Sequence, residues 1–386
     1  MRLLWVVPRY GAGIVGGAEL HVRGLATRGV PDGWSCEIAT TCAVDHTTWA
    51  NELPPGETSE DGLRVHRFEV GPRDETLAAE LHARIHGEVA TYSDELMWLA
   101  NGVWSPGLER FIVESGGGYD LLVFAPYLFG TTLWGAQILP ERSILMPCLH
   151  DEPYAYLATV KNVFEASRGC MFNTAAEERL ARRLYRVRDG HVVGMGYDPP
   201  GPLAARFAEP RRLGPYVLYA GRLEEGKRVD VAVEYAVRYA AERTNAPRLV
   251  LIGRGNYKPP HEAEHVVVRA GYVPEAERRA AYAEALALIQ PSRLESLSLV
   301  LLEAWLEGTP ALATAESDVM RDHCEASGGG LLFDSYESYR EALDRLLADD
   351  DQRREMGRAG RDYVLAQYGW DAVSARLVDA VECLAA

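Results

Sequence analysis

Only six of the 386 residues are cysteine. No two of them form a C-x-x-C pair, and none joins a histidine at zinc-ligand spacing. A structural zinc site or a redox dithiol needs those spacings. Cys36, Cys42, Cys148, Cys170, Cys324 and Cys383 therefore read as reduced thiols of a cytoplasmic protein. No apolar run reaches the ~20 residues that span a bilayer. The opening MRLLWVVPRYGAG has too short an apolar stretch for a secretory leader and no small-residue cleavage site, so it reads as a first β-strand. Positive charge is scarce as well. The formal net charge of -16 excludes the broad basic face of a nucleic-acid-binding protein, though not a local basic pocket for a phosphate. GRGNYKP (253–259) lacks the G-K-[ST] ending of a P-loop. There is no internal repeat and no low-complexity tract.

What remains is an ordinary globular composition, 47% hydrophobic and 25% charged, in a chain long enough for two cores. Its pattern is alternating strand and helix. RLLWVV (2–7), CEIATT (36–41), LRVHRFEV (63–70), YDLLVFAPY (119–127), SILMPCLH (143–150), CMFN (170–173) and HVVGM (191–195) are short, apolar and bounded by turn residues. Helical segments such as 18–26 and 175–186 lie between most of them. Thr47 to Gly62 reads as a long polar loop. Five prolines in 197–215 mark a linker. The alternation then restarts with strands at 216–220, 248–253, 265–270, 286–292, 310–314 and 330–334, and helices at 229–243, 274–285 and 299–307. Such alternation builds parallel sheets covered on both faces. The fold class is α/β: two doubly wound parallel-sheet, Rossmann-like domains facing a cleft, with ligands expected beyond the carboxyl ends of the strands.

Three stretches carry candidate chemistry. Gly11-x-Gly13-x-x-Gly16 fits a dinucleotide fingerprint literally. However, Pro8, Arg9 and Tyr10 separate it from the strand, and the second strand ends in threonines rather than an acid. Gly16 and Gly17 still precede a helix whose free N–H groups can hold an anion; a plain strand-to-helix turn is the other reading. In YVLYAGRLEEGKRVD, Arg222 follows a strand end and Lys227 stands where a helix begins. A planar fork and a point charge together suit a diphosphate. The alternative is two solvated cations balancing Glu224 and Glu225. In RLESLSLVLLE (293–303), Glu295 hangs before a helix and Glu303 lies just over one turn inside it, on a polar strip shared with Glu307. Ser298 reads as the N-cap. A carboxylate can accept both protons of a vicinal diol, so two acids about a helix N-terminus suit a sugar diphosphate. Asp349-Asp350-Asp351 is the one D-x-D match; it reads as a solvated helix cap, and no metal site is assigned.

Glu295 and Glu303 match the E-x7-E signature of retaining GT-B glycosyltransferases, specifically the large family-4 group (the glycosyltransferase group 1 type). GRLEEGKR resembles that family's G-R-x-x-x-x-K element, GIVGGAELHVRGLA its N-terminal glycine loop, CLHDEPY its histidine at a strand end, and YGWDAVSARLVDAVECL its last helix, which crosses back to the first domain. The resemblance implies GT-B architecture with an acceptor-side domain at 1–205, rejoined by 370–386, and a donor-binding domain at 206–369. It implies that Arg222 and Lys227 neutralise the diphosphate leaving group, that Glu295 holds the transferred sugar and that Glu303 holds the ribose diol. Backbone N–H groups of Leu297, Ser298 and Leu299 would meet sugar or phosphate, and Val273 would lie near the base. His150 would bond the sugar, and Gly16 and Gly17 would line the cleft. The donor would be a UDP- or GDP-sugar, with no other cofactor. One departure stands out. The family commonly has an aromatic and a glycine after the first glutamate, where this chain has Ser296-Leu297-Ser298.

The acceptor is less legible. Asp151, Glu152, Tyr154 and Tyr156 after His150, and Trp49 in the long loop, suit a glycan, a lipid-linked sugar or a small glycoside. Arg179, Arg182, Arg183 and Arg186 share a helix face. That face reads either as peripheral contact with the inner membrane leaflet or as a solvated surface paired with Glu177 and Glu178. Two rival functions use the same residues: a nucleotide-sugar epimerase, and a non-catalytic sugar-nucleotide-binding protein.

Overall fold

The computed structural model describes residues 1–14, 16–207 and 214–386. The chain forms two compact units: Met1–Gly196 with Trp370–Ala386, and Tyr197–Gly369. Val15 of the glycine loop and residues 208–213 of the expected linker lie outside the described residues.

The first unit is built on an eight-stranded sheet. Its strands are β1 (Arg2–Val6), β2 (Ser35–Thr41), β3 (Gly56–Glu60), β4 (Leu63–Phe68), β5 (Leu121–Phe124), β6 (Ser143–Leu145), β7 (Gly169–Phe172) and β8 (Gly190–Val192). They are ordered β3-β4-β2-β1-β5-β6-β7-β8. Every pairing is parallel except β3 with β4. The alternation of side chains along β1 explains the two cores. Leu4 and Val6 join Leu122, Phe124 and Leu145 on one face. Leu3 and Trp5 join Leu121, Val123 and Ile144 on the other. The helix Trp370–Ala385 completes that second face with Val373, Leu377, Ala380, Val381 and Leu384. Arg376 Nε fastens it to the Val193 carbonyl at 3.0 Å.

The polar loop expected over Thr47 to Gly62 is corrected in part: its last residues are strand β3. Glu60 pairs with Leu63 across a two-residue turn. Asp61 and Gly62 both take positive φ, 53° and 79°. Asp-Gly is the sequence signal for that hairpin, and its twist matches that of the strands.

The second unit is a six-stranded, wholly parallel sheet. It holds β9 (Tyr216–Ala220), β10 (Arg248–Ile252), β11 (Val267–Gly271), β12 (Ala287–Gln290), β13 (Ala311–Thr314) and β14 (Gly330–Phe333). The order is β11-β10-β9-β12-β13-β14, the doubly wound order with its reversal between β9 and β12. All five residues of β9 are buried, as expected of a strand covered on both faces. Asp349 caps the helix Asp350–Tyr368 by accepting from Asp351 and Gln352 N–H at 3.0 and 2.9 Å.

Candidate active site

Within the second unit, the turns after β9 and β12 stand at the switch point of the strand order. The chain leaves β9 through Gly221, whose φ of 142° admits only glycine comfortably. A Cβ on Gly253, at the end of β10, would meet the Gly221 carbonyl oxygen at 1.8 Å, so these two turns touch through glycine. Beyond Gly221 the basic pair separates. Arg222 is exposed and reaches Glu224 at 3.2 Å. Lys227 lies in a short 3-10 turn, Glu225–Lys227, ahead of the helix Val229–Glu242. Its Nζ donates to Glu295 Oε1 at 2.7 Å and to the Leu294 carbonyl at 3.0 Å. Lys227 therefore ties the turn after β9 to the loop after β12. The neighbouring Arg228 pairs with Glu316, which also accepts from Arg293 Nε at 2.6 Å.

The loop from Glu295 to Ser298 feeds the helix Leu299–Leu306. Leu297 and Ser298 are buried, and Glu295 is nearly so. Ser298 stands at the N-cap position, but its hydroxyl caps nothing. It accepts from Gln290 Nε2 at 3.2 Å instead. That overturns the side-chain cap read from sequence. The cause is conformational: Ser298 has φ 64° and ψ 74°, so its side chain is turned away from the first turn of the helix. The carbonyl of Leu297 is held by His323 Nε2 at 3.1 Å. Burial depresses the His323 pKa to about 4, so the ring is neutral. Its Nε2 carries the proton given to the carbonyl, and Nδ1 accepts from Tyr363 OH at 3.0 Å.

Glu303 is half-buried on the face toward the helix Glu275–Glu284. It meets Arg278 at 3.2 Å and accepts from Tyr282 OH at 2.9 Å. Burial raises its pKa, against the pull of Arg278 and Tyr282. Glu307, on the same strip, pairs with Arg279 at 2.5 Å. Val273 is half-buried between β11 and the helix Glu275–Glu284. The candidate donor-site residues thus fall into three local groups: Lys227 with Glu295, Leu297 and Ser298 with their braces, and Glu303 with Arg278 and Tyr282. Gln290, His323, Arg278 and Tyr282 escaped the sequence reading. Gln290 is a lone polar residue in an apolar strand, whereas Arg278, Tyr282 and His323 lie in helices rich in charged residues, and no motif marks any of them.

In the first unit, Gly16 is the N-cap of the helix Gly17–Gly24. A Cβ there would fall 2.0 Å from Glu19 Oε2, because Glu19 lies across this turn to accept from Arg9 Nε at 2.8 Å. Glycine at this position makes room for a nearly buried ion pair. His150 follows the end of β6 and sits 3.5 Å from Glu152, which also accepts from Tyr127 OH at 2.7 Å. Glu177 is not a partner for the arginine stripe. It is buried at the start of the helix Ala175–Leu184, where it accepts the backbone N–H groups of Leu149 at 2.5 Å and Asn173 at 2.6 Å. Burial lifts its pKa to about 8. On the stripe itself, Arg182 pairs with Glu178 and Arg183 with Asp151. Trp49 lies with Trp98, Phe129, Tyr154 and Arg73 around a pocket of about 200 Å³. Among the described residues, no helix is long and apolar enough to cross a membrane.

Residues 206–363 match the family model of glycosyl transferases group 1. A D-inositol 3-phosphate glycosyltransferase of Xylanimonas cellulosilytica is 28% identical over 417 residues, spanning 96% of this chain and 92% of that protein. A GDP-mannose-dependent alpha-(1-6)-phosphatidylinositol monomannoside mannosyltransferase of Mycobacterium tuberculosis is 32% identical over 219 residues, 49% of this chain and 56% of that one. Among solved structures, Anabaena Alr3699/HepE in complex with UDP superposes with a TM-score of 0.71 at 15% identity, over 99% of this chain and 100% of that one. The architecture is that of the GT-B fold.

Proposed function

We propose that the chain, whose residues 206–363 match the glycosyl transferases group 1 model, is a nucleotide-sugar-dependent glycosyltransferase of that family and moves a hexose from a UDP- or GDP-sugar with retention of the anomeric configuration. The observation that carries this reading is the Lys227–Glu295 contact of 2.7 Å, made directly before the helix Leu299–Leu306. It sets a cation and a hydroxyl-accepting carboxylate side by side at a helix N-terminus, where a sugar diphosphate needs them.

In this reading Lys227 and Arg222 meet the diphosphate, and Arg222 leaves Glu224 to do so. An exposed pair of that kind contributes little and breaks readily. The backbone N–H groups of Leu297, Ser298 and Leu299 stabilise the charge that grows on the leaving phosphate. Glu295 accepts from hydroxyls of the transferred sugar, and Glu303 from the ribose diol. The acceptor hydroxyl attacks the anomeric carbon on the face from which the diphosphate departs. The bond from that carbon to the phosphate oxygen breaks as the new glycosidic bond forms, and the phosphate oxygen takes the hydroxyl proton. No cofactor besides the donor takes part. The acceptor is a glycan, a lipid-linked sugar or a small glycoside, and the enzyme works in the cytoplasm, at the inner membrane face where the acceptor is lipid-linked.

The deciding experiment is a thermal-shift panel of nucleotide sugars, followed by product analysis with and without acceptors. The right donor raises Tm by mass action, and a glycoside forms only when acceptor is added. An altered nucleotide sugar formed from donor alone would instead mean an epimerase. Donor binding without turnover or slow hydrolysis would mean a binding protein.

A further inference from the structure

Ser298 occupies the left-handed region, φ 64° and ψ 74°, directly before the helix Leu299–Leu306. Residues other than glycine take that conformation at a cost and keep it only where the surroundings impose it. Glycine would take the same angles freely. Serine therefore needs braces, and the second unit supplies two. From β12, Gln290 donates its Nε2 proton to Ser298 Oγ at 3.2 Å while its Oε1 accepts from Ser292 N–H at 3.3 Å. From the helix Asp318–Ser327, His323 donates its Nε2 proton to the Leu297 carbonyl at 3.1 Å. The carbonyl so held belongs to the peptide that leads into Ser298, so the bond fixes that peptide's plane.

We infer that His323 is a positioning residue of the donor loop: by holding the Leu297 carbonyl it keeps Ser298 left-handed and so aims the N–H groups that open the helix Leu299–Leu306. This rests on the reading above, in which those N–H groups meet the donor. His323 is well fixed for the task. It is buried, its Nδ1 accepts from Tyr363 OH at 3.0 Å, and its ring packs edge-on to Trp305 with centroids 6.2 Å apart. Neutrality keeps the donor nitrogen protonated and the other free to accept, so ring orientation and tautomer are set together. The loop keeps its shape through this side chain, where glycine would have kept it through the backbone alone.

The test uses the full chain and four variants. H323F fills the volume but gives the carbonyl no donor. H323N stays polar but falls short of the carbonyl, and it replaces H323F as the probe if the latter does not fold. H323Q restores a donor at about the reach of Nε2. H323F/S298G removes both the brace and the need for it. Crystal structures read the backbone directly: in H323F or H323N, Ser298 leaves the left-handed region. Ser298 keeping its angles in both would overturn the inference. Calorimetric titration with UDP and with GDP reads the consequence. Whichever nucleotide binds the unmodified chain should bind H323F roughly tenfold more weakly, and H323Q within about threefold of the original. H323F/S298G should recover most of the loss, which a purely packing role for His323 would not allow. Failure of the glycine rescue would overturn the inference too. If neither nucleotide binds the unmodified chain, the donor reading falls, and the Ser298 angles still decide the role of His323.

Discussion

Lys227 Nζ lies 2.7 Å from Glu295 Oε1, across 68 residues of sequence, and the pair is mostly shielded from water. A cation and a carboxylate so placed neutralise each other until a ligand takes one of them. A diphosphate would draw Lys227 and leave Glu295 to accept from sugar hydroxyls. Each residue is therefore expected to be needed for transfer in its own right. Glu295→Ala and Lys227→Ala should each lower kcat by about 100-fold or more, with circular dichroism unchanged. Because the two touch, their stability losses should not add. The double mutant should fall short of the sum by about 0.5–3 kcal/mol in denaturant titrations. Full activity in Glu295→Ala would remove the site from this loop.

Glu177 gives the folded chain a pH dependence of unusual sign for a carboxylate. Its pKa is raised from 4.5 to about 8 by burial, partly offset by the N–H groups of Asn173 and Leu149. Between those values the folded chain holds a proton that the unfolded chain has released. Stability contributed by this group is therefore present at low pH and lost as pH rises toward 8. Glu177→Gln cannot titrate. Urea unfolding at about pH 5.5 and about pH 7.5 should show the unmodified chain losing up to roughly 1 kcal/mol per pH unit relative to the variant. A constant difference would mean that Glu177 stays ionised throughout. The variant should also disturb the loop carrying His150, since an amide can accept from only one of the two N–H groups that Glu177 serves.

The strands were legible because each is a short apolar run closed by turn residues. YVLYA became β9 and CMFN became most of β7. The acids of RLESLSLVLLE were legible because two carboxylates stand out against leucine. What escaped has a common physical origin. Periodicity reports burial and says nothing of the polar contact a buried residue makes. Gln290 and His323 looked like incidental residues of a strand and a helix, yet both hold the Glu295–Leu299 loop. Glu177 looked like half of a surface pair because it neighbours arginines. Its burial follows from the neighbouring loops, whose N–H groups it collects from 28 and 4 residues away. The Ser298 cap failed for a related reason, since the N-cap preference assumes an extended backbone. The β3–β4 turn could have been read: Asp61-Gly62 is a hairpin signal, hidden by the polarity around it.

Acid should weaken the fold through two histidines. His21 and His323 are both buried and depressed from 6.5 to about 4 by that burial. His21 Nε2 meets the Gly194 carbonyl at 2.7 Å in the first unit, so that nitrogen carries a proton, and burial keeps the ring neutral. As pH falls from about 6.5 to about 4, the unfolded chain takes up protons that the folded chain refuses. Stability contributed by neutral burial is present above that window and lost within it. His21→Gln and His323→Gln should each flatten the acid limb of a Tm-against-pH curve, and comparison at matched pH separates them from Glu177. An acid limb unchanged by either substitution would mean that these rings do not titrate there.

The helix Trp370–Ala385 follows the last segment of the second unit in sequence but belongs to the core of the first. Leu377 is fully buried against that core, and a Cβ on Gly29 would come within 2.8 Å of its Cδ2, so the packing there has no slack. Leu377→Ala should destabilise by about 2–5 kcal/mol, the range for a leucine cavity that cannot collapse. The loss should be local. Hydrogen exchange read by mass spectrometry should show β1 and β5 losing protection, because Leu3, Trp5, Leu121 and Val123 share a cluster with Leu377. β9, whose Val217 and Tyr219 pack in a separate cluster, should keep its own protection. Equal loss in β9 and β1 would mean that the two cores unfold as one, and the helix would then be a strut for the whole chain rather than a part of the first unit.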